Sequence, residues 1–175
     1  MKVPVASALV VGLVGVVITY LYVGPFASLG LLVPATFLGA ASYFAAGGTT
    51  ATLASSTATN VWGIVCGTVA LVMLSHTTSD IVVALIVGGM TAVFILGSLV
   101  DALGFVPGSV IGFATTVLFG LLTGASGTDF SLPTGPFTVM LISFLVGNAY
   151  GWAGSQVVPR VVAATTTGEP APATA

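Results

Sequence analysis

Charged side chains are almost missing from this chain: four acids, two bases and one His are spread over 175 residues. That scarcity constrains the fold more than any motif. A helix in a water-soluble protein needs one polar face, and almost every segment here long enough to form a helix is apolar on all sides. Hydrophobic residues make up 57 % of the chain and charged residues 3 %, against about 25 % charged residues in soluble domains. The sequence therefore predicts an all-α, polytopic membrane protein. A net charge of −2 without a basic patch excludes nucleic acid as a partner. The lone Cys66 excludes a disulfide or thiolate-metal framework, so no metal and no cofactor is expected.

Crossing a hydrocarbon core of about 30 Å takes about 20 apolar residues. Six segments answer to that: Pro4 to Val23, Phe26 to Ala46, Ala51 to Ser75, Asp80 to Val100, Pro107 to Leu122 and Pro136 to Val158. Glycine, proline and polar clusters separate them, notably Gly24-Pro25, Gly47-Gly48, His76 to Asp80 and Gly124 to Pro136. The first apolar run is longer than a signal-peptide core and no small-x-small cleavage site follows it, so it is read as a span. One transmembrane domain is expected over residues 1–160, with a disordered Ala/Thr/Pro-rich tail over 161–175. Lys2 before the first span and Arg160 after the sixth put both termini on the cytoplasmic side of a plasma membrane.

The two halves resemble each other. Val33-Pro34-Ala35-Thr36-Phe37-Leu38-Gly39 matches Val106-Pro107-Gly108-Ser109-Val110-Ile111-Gly112 at a separation of 73. Asn60-Val61-Trp62-Gly63 matches Asn148-Ala149-Tyr150-Gly151 at a separation of 88, and the Gly124 to Pro136 connection supplies the extra residues. Three spans are an odd number, so a second copy enters from the opposite face. The expectation is two inverted three-helix repeats, about residues 4–75 and 77–158, an arrangement used by channels and transporters with the solute near the midplane.

Few residues in the spans bear chemistry. Asn60 and Asn148 fall mid-helix, where an unsatisfied amide costs several kcal/mol; they are expected either to line a polar path or to bond helix to helix. Trp62 and Tyr150 are candidates for a constriction or for packing. Thr36, Ser42, Ser109 and Thr115 offer hydroxyls to a path or to their own helix carbonyls. Pro34 and Pro107 either break their helices inside the membrane or sit in a first turn, where the missing N–H costs nothing. Stripes of small residues, Ser55, Thr59, Gly63, Gly67 and Ser143, Gly147, Gly151, Ser155, allow close helix approach. No carboxylate, His or Lys lies deep in a span, which argues against a proton relay, and no nucleophile–base pair appears, so enzyme activity is not expected.

The stretches Leu29-Gly30-Leu31-Leu32, Phe37-Leu38-Gly39, Tyr43-Phe44-Ala45 with Gly47-Gly48, and Phe105-Val106-Pro107-Gly108-Ser109-Val110-Ile111-Gly112 resemble the YcdZ-like family of small bacterial inner-membrane proteins, from about residue 5 to 157. That family is a domain of unknown function. The resemblance implies a multi-pass protein of a bacterial inner membrane and assigns no substrate and no site. The expected function is a passive channel or facilitator for a small solute, embedded in the lipid bilayer and working as a homo-oligomer. The alternatives are a non-transporting membrane scaffold or accessory subunit and an ion-coupled secondary transporter.

Overall fold

The computed structural model describes residues 1–166. It holds six α-helices and, among the described residues, no strand: α1 Val3–Val23, α2 Val33–Ala45, α3 Thr50–Leu74, α4 Asp80–Leu96, α5 Val106–Thr123 and α6 Pro136–Thr166. Five are long and apolar enough to cross a membrane; α2, with 13 residues, is not.

The expected span Phe26 to Ala46 is therefore corrected. Its first part is a 3-10 turn, Ala27–Leu29, ended by Gly30 in the left-handed region at φ 64°, after which the chain runs extended into α2. A Cβ at Gly30 would come 2.7 Å from the Pro133 carbonyl oxygen, so glycine is required there by backbone angle and by space. Pro34 and Pro107 each lie in the first turn of α2 and α5. Their ring nitrogens have no intrahelical acceptor to lose, and both helices run on from them unbroken.

At the other end of the chain, α6 passes through Pro159 and continues to Thr166, six residues into the stretch read as a tail. The Met1 amine donates to the Thr165 hydroxyl at 3.0 Å, tying the two ends of the chain together. The rest of that expected tail lies outside the described residues.

Two tight helix pairs form the core. α3 packs chiefly on α5 and α6 chiefly on α2, and α3 and α6 cross between them. Glycines set both pairings. A Cβ at Gly63 or Gly147 would fall on the Ser109 or Thr36 carbonyl oxygen, and one at Gly112 or Gly39 on the Asn60 or Phe144 carbonyl oxygen. Backbones approach here as they do wherever small residues line a membrane helix contact. α1 lies on α6 and α4 lies on α3. Both outer helices keep most of their length exposed, with Leu13, Val16, Ile81 and Leu85 facing outward as side chains bound for lipid should.

The connection from α5 to α6 folds on itself. Asp129 accepts from the Ser131 backbone N–H at 2.8 Å, the Ser131 hydroxyl at 2.6 Å and the Thr134 hydroxyl at 2.7 Å. These donors, Ser131 first and then Thr134, hold the Asp129 carboxyl below its ordinary value. The stabilisation is present at neutral pH, above the ordinary carboxylate range, and is lost as pH falls through the lowered value. The protection of the Ser131 amide, its exchange rate relative to the intrinsic rate at the same pH, is expected to fall on acidification and to be low already at neutral pH in Asp129→Asn.

Candidate functional site: a closed polar ring between α3 and α6

Asn60 and Asn148 meet. The Asn148 side-chain N–H donates to Asn60 Oδ1 at 2.9 Å, and the two residues are 1 % and 2 % exposed. Two serines complete a ring with them. Asn60 Nδ2 donates to Ser42 Oγ at 2.9 Å, the Ser42 and Ser56 hydroxyls are 3.2 Å apart, and Ser56 Oγ donates to Asn148 Oδ1 at 2.8 Å. Because the one Ser56 proton is given to Asn148, Ser42 is the donor to Ser56. The bonds then run in one direction around the ring, Ser42 to Ser56 to Asn148 to Asn60 and back to Ser42. Such chains polarise one another and strengthen each link.

Each amide keeps a second donor, and both are used: Asn60 Nδ2 also reaches the Gly108 carbonyl and Asn148 Nδ2 the Phe144 carbonyl, each at 3.0 Å. These bonds fix the amide orientations, since reversing Asn148 would set its oxygen against the Phe144 carbonyl oxygen. The ring ties α2, α3 and α6 together through side chains and reaches α5 through the Gly108 carbonyl. All four ring residues are buried.

Next to the ring along α3 and α6 the chemistry changes. Ile64, one turn after Asn60, and Phe144, one turn before Asn148, pack with Ala35, Val139 and Met140 in a fully buried apolar cluster. The centre of the molecule is thus polar on one side and dry on the other.

The other sequence candidates lie elsewhere. The Tyr150 hydroxyl donates to the Val11 carbonyl, and its ring meets Phe37 edge-on at 5.9 Å. The Trp62 indole donates to the Phe94 carbonyl at 3.3 Å. Each aromatic therefore ties an outer helix to the core, Tyr150 holding α1 to α6 and Trp62 holding α4 to α3. The buried Thr36 hydroxyl lies 3.2 Å from both the Leu32 carbonyl and the Tyr22 hydroxyl. Thr115 bonds back to the Ile111 carbonyl at 2.7 Å. Ser109 is fully buried, and its hydroxyl has no hydrogen-bond partner among the described residues. Ser56 is the ring member that sequence reasoning missed. Its signal was present: it lies four residues before Asn60, on the same helix face. Among the described residues no three His, Cys, Asp or Glu side chains gather as metal ligands would.

Over residues 8–158 the chain matches a family described as a protein of unknown function, DUF1097. The chain belongs to that family. Membership extends across all six helices and every residue of the ring, so the ring lies within the part of the chain that the family shares. It names no activity. No curated protein and no solved structure matches the chain.

Proposed function

We propose that this protein is a passive facilitator for a small, uncharged, polar solute, built from two inverted three-helix repeats and closed at their junction in this conformation. The support for the repeat is how the helices pair. Exchanging α1 with α4, α2 with α5 and α3 with α6 turns each chief pairing into another, α3 on α5 into α6 on α2, and α4 on α3 into α1 on α6. Close approaches exchange too. Gly63 on Ser109 corresponds to Gly147 on Thr36, Gly67 on Phe113 and Thr116 to Gly151 on Ala40 and Tyr43, and Gly112 on Asn60 to Gly39 on Phe144. These correspondences keep the separation of 73 for α2 and α5 but give 84 for α3 and α6, one helical turn short of the separation at which the two asparagines align.

The observation that carries the functional reading is the chemistry at that junction. With a separation of 84, Asn60 corresponds to Phe144, Asn148 to Ile64, Ser56 to Met140, and Gly108 (through the 73 of α2 and α5) to Ala35. Three of the four ring residues thus have apolar counterparts in the cluster, while Ser42 corresponds to Thr115, so the two counterparts of this place differ sharply in polarity. A solute offering one donor and one acceptor substitutes for the Asn60–Asn148 bond without leaving an amide unpaired, while Ile64, Met140 and Phe144 form a dry barrier of the kind that gates by dewetting. Neutral lining groups fit an uncharged solute. The bacterial inner membrane, the cytoplasmic termini and a homo-oligomer belong to the same proposal.

Proteoliposome swelling with small amides and polyols tests it. The protein is expected to speed solute entry over protein-free vesicles, Phe144→Ala to raise the rate further, and Asn148→Leu to abolish it, each variant being checked for native helicity. Equal rates with and without protein for every solute would refute the reading.

The saturation of the ring favours a second reading, a non-transporting scaffold or accessory subunit. In that case the docking surfaces are the outer faces of α1 and α4, because the glycine stripes are already used inside the chain. Purification from native membrane separates the two: a stoichiometric foreign partner favours the scaffold, a symmetric homo-oligomer the facilitator.

A further inference from the structure

Side-chain hydrogen bonds between the helices do not stop at the ring. Beyond it, towards the end of the bundle that carries both chain termini, a second polar layer joins the same three helices. The Tyr43 hydroxyl of α2 and the Ser155 hydroxyl of α6 are 2.7 Å apart, and because Ser155 gives its proton to the Trp152 carbonyl at 2.8 Å, Tyr43 is the donor. Gln156 Nε2 donates to Ser155 Oγ at 3.3 Å and to Thr50 Oγ1 at 3.4 Å. The Trp152 indole N–H donates to the same Thr50 oxygen at 3.2 Å. α3 thus enters this layer through Thr50, its first residue, which accepts both bonds.

The two layers differ in depth. Trp152 and Gln156 follow Asn148 along α6 by about 6 and about 12 Å, and Thr50 precedes Ser56 along α3 by about 9 Å. The ring is buried, whereas Thr50 is exposed and Trp152 is 37 % exposed. The indole therefore bridges α6 to the start of α3 in the stretch between the ring and the surface. In the opposite direction the same seam is apolar, with Ile64 on α3 and Phe144 and Met140 on α6. Among the described residues, every hydrogen bond between side chains of different members of α2, α3 and α6 lies in the ring or in the second layer. Polarity runs one way, from the ring to the end with the termini.

We propose that Thr50, Trp152 and Gln156 are the entry latch of the ring: a small polar solute reaches Asn60 and Asn148 along the α3–α6 seam from the end with the termini, once the indole leaves Thr50. The inference rests on the facilitator reading and adds where the solute enters and what closes the entrance. Both bonds to Thr50 are neutral, at or beyond the long end of the usual range, and made at an exposed oxygen. Water replaces the partners as they part, so opening the latch strands no buried group. The buried ring bonds have no such exchange, which makes the ring the tighter closure. The path then closes by different means at its two ends, a hydrogen-bonded latch on one side and the apolar cluster, a barrier of the dewetting kind, on the other.

Alkylation of a thiol placed in the ring tests the latch. Ser56→Cys puts a group of nearly the same size beside Asn148, and iodoacetamide, itself a small neutral amide, is the probe, applied to the full chain in detergent micelles and read by peptide mass spectrometry. The natural Cys66, buried further along α3 among Ile86, Phe94 and Phe113 on the α4 side, is the internal control. In this background Trp152→Ala is expected to speed labelling of the introduced thiol about tenfold, because the rate follows the population of the open state. Thr50→Val, which removes the acceptor of both bonds at an exposed position and keeps the side-chain shape, should speed it about threefold by the same argument. Both variants should keep native circular dichroism and leave the labelling rate of Cys66 unchanged. An unchanged rate for the introduced thiol in both variants would overturn the latch, and so would equal acceleration at both thiols, which would mean general loosening. Failure of the facilitator reading has a different signature, the absence of proteoliposome swelling with any solute, whatever the labelling rates.

Discussion

Replacing Asn148 with leucine should cost about 2–4 kcal/mol of stability, more than the roughly 0.6 kcal/mol average of an interhelical hydrogen bond in a membrane. The reason is the number of groups it strands. Ser56 loses the acceptor for its only proton, and Asn60 Oδ1 loses its donor, and both groups are buried. A lost bond with both partners removed is cheap; a lost bond with two buried partners left behind carries their full desolvation cost. Asn148→Leu should therefore unfold in detergent at clearly lower temperature or SDS fraction than the natural sequence. Thr115→Val, which removes only a hydroxyl bonded to its own helix, should change little.

Alanine at Gly63 or Gly147 should be comparably damaging, although a single methyl group is added. At both positions the new Cβ collides with a carbonyl oxygen of the partner helix, Ser109 for Gly63 and Thr36 for Gly147. Backbone cannot swing aside as a long side chain can, so the helix pair must separate along its length. Overpacking in a close-packed interior costs about 1–3 kcal/mol, and a backbone collision belongs at the upper end. Gly12→Ala and Gly88→Ala are the matched controls, because nothing lies within 4 Å of either new Cβ. These two should remain within about 1 kcal/mol of the natural sequence in the same unfolding assay. Uniform tolerance at all four glycines would mean that α3–α5 and α2–α6 are not in backbone contact.

How well the sequence foretold this structure varied with the kind of signal. Where apolar length was interrupted by turn chemistry, the boundaries were legible: α1, α3 and α5 begin and end within about a residue of the expected segments, and α4 and α6 start at Asp80 and Pro136 as expected. Three ends were not legible. α2 is shortened because Gly30 adopts a left-handed backbone that an apolar run does not reveal. α4 gives way to 3-10 turns from Gly97, where the Trp62 ring packs. α6 passes through Pro159, and its last turns meet the start of the chain, where the Met1 amine donates to the Thr165 hydroxyl.

The ring itself was half legible. A mid-helix amide demands a partner, which singled out Asn60 and Asn148, but residue type does not say whether that partner is solute, water or another side chain. Small residues recurring every four positions make an alignment nearly as good when slid by one turn. A sequence match between the two asparagines therefore does not by itself fix how α3 and α6 correspond.

The account rests on Asn60 and Asn148 being bonded to each other in a buried, closed ring. A double-mutant cycle of Asn60→Leu, Asn148→Leu and the pair, measured as unfolding free energy in one detergent or bicelle, tests that most directly. If the bond is present, the double variant costs less than the sum of the singles, with a coupling of about 1–3 kcal/mol. Additivity within about 0.5 kcal/mol would mean that the two amides do not touch, and would contradict the account at its centre.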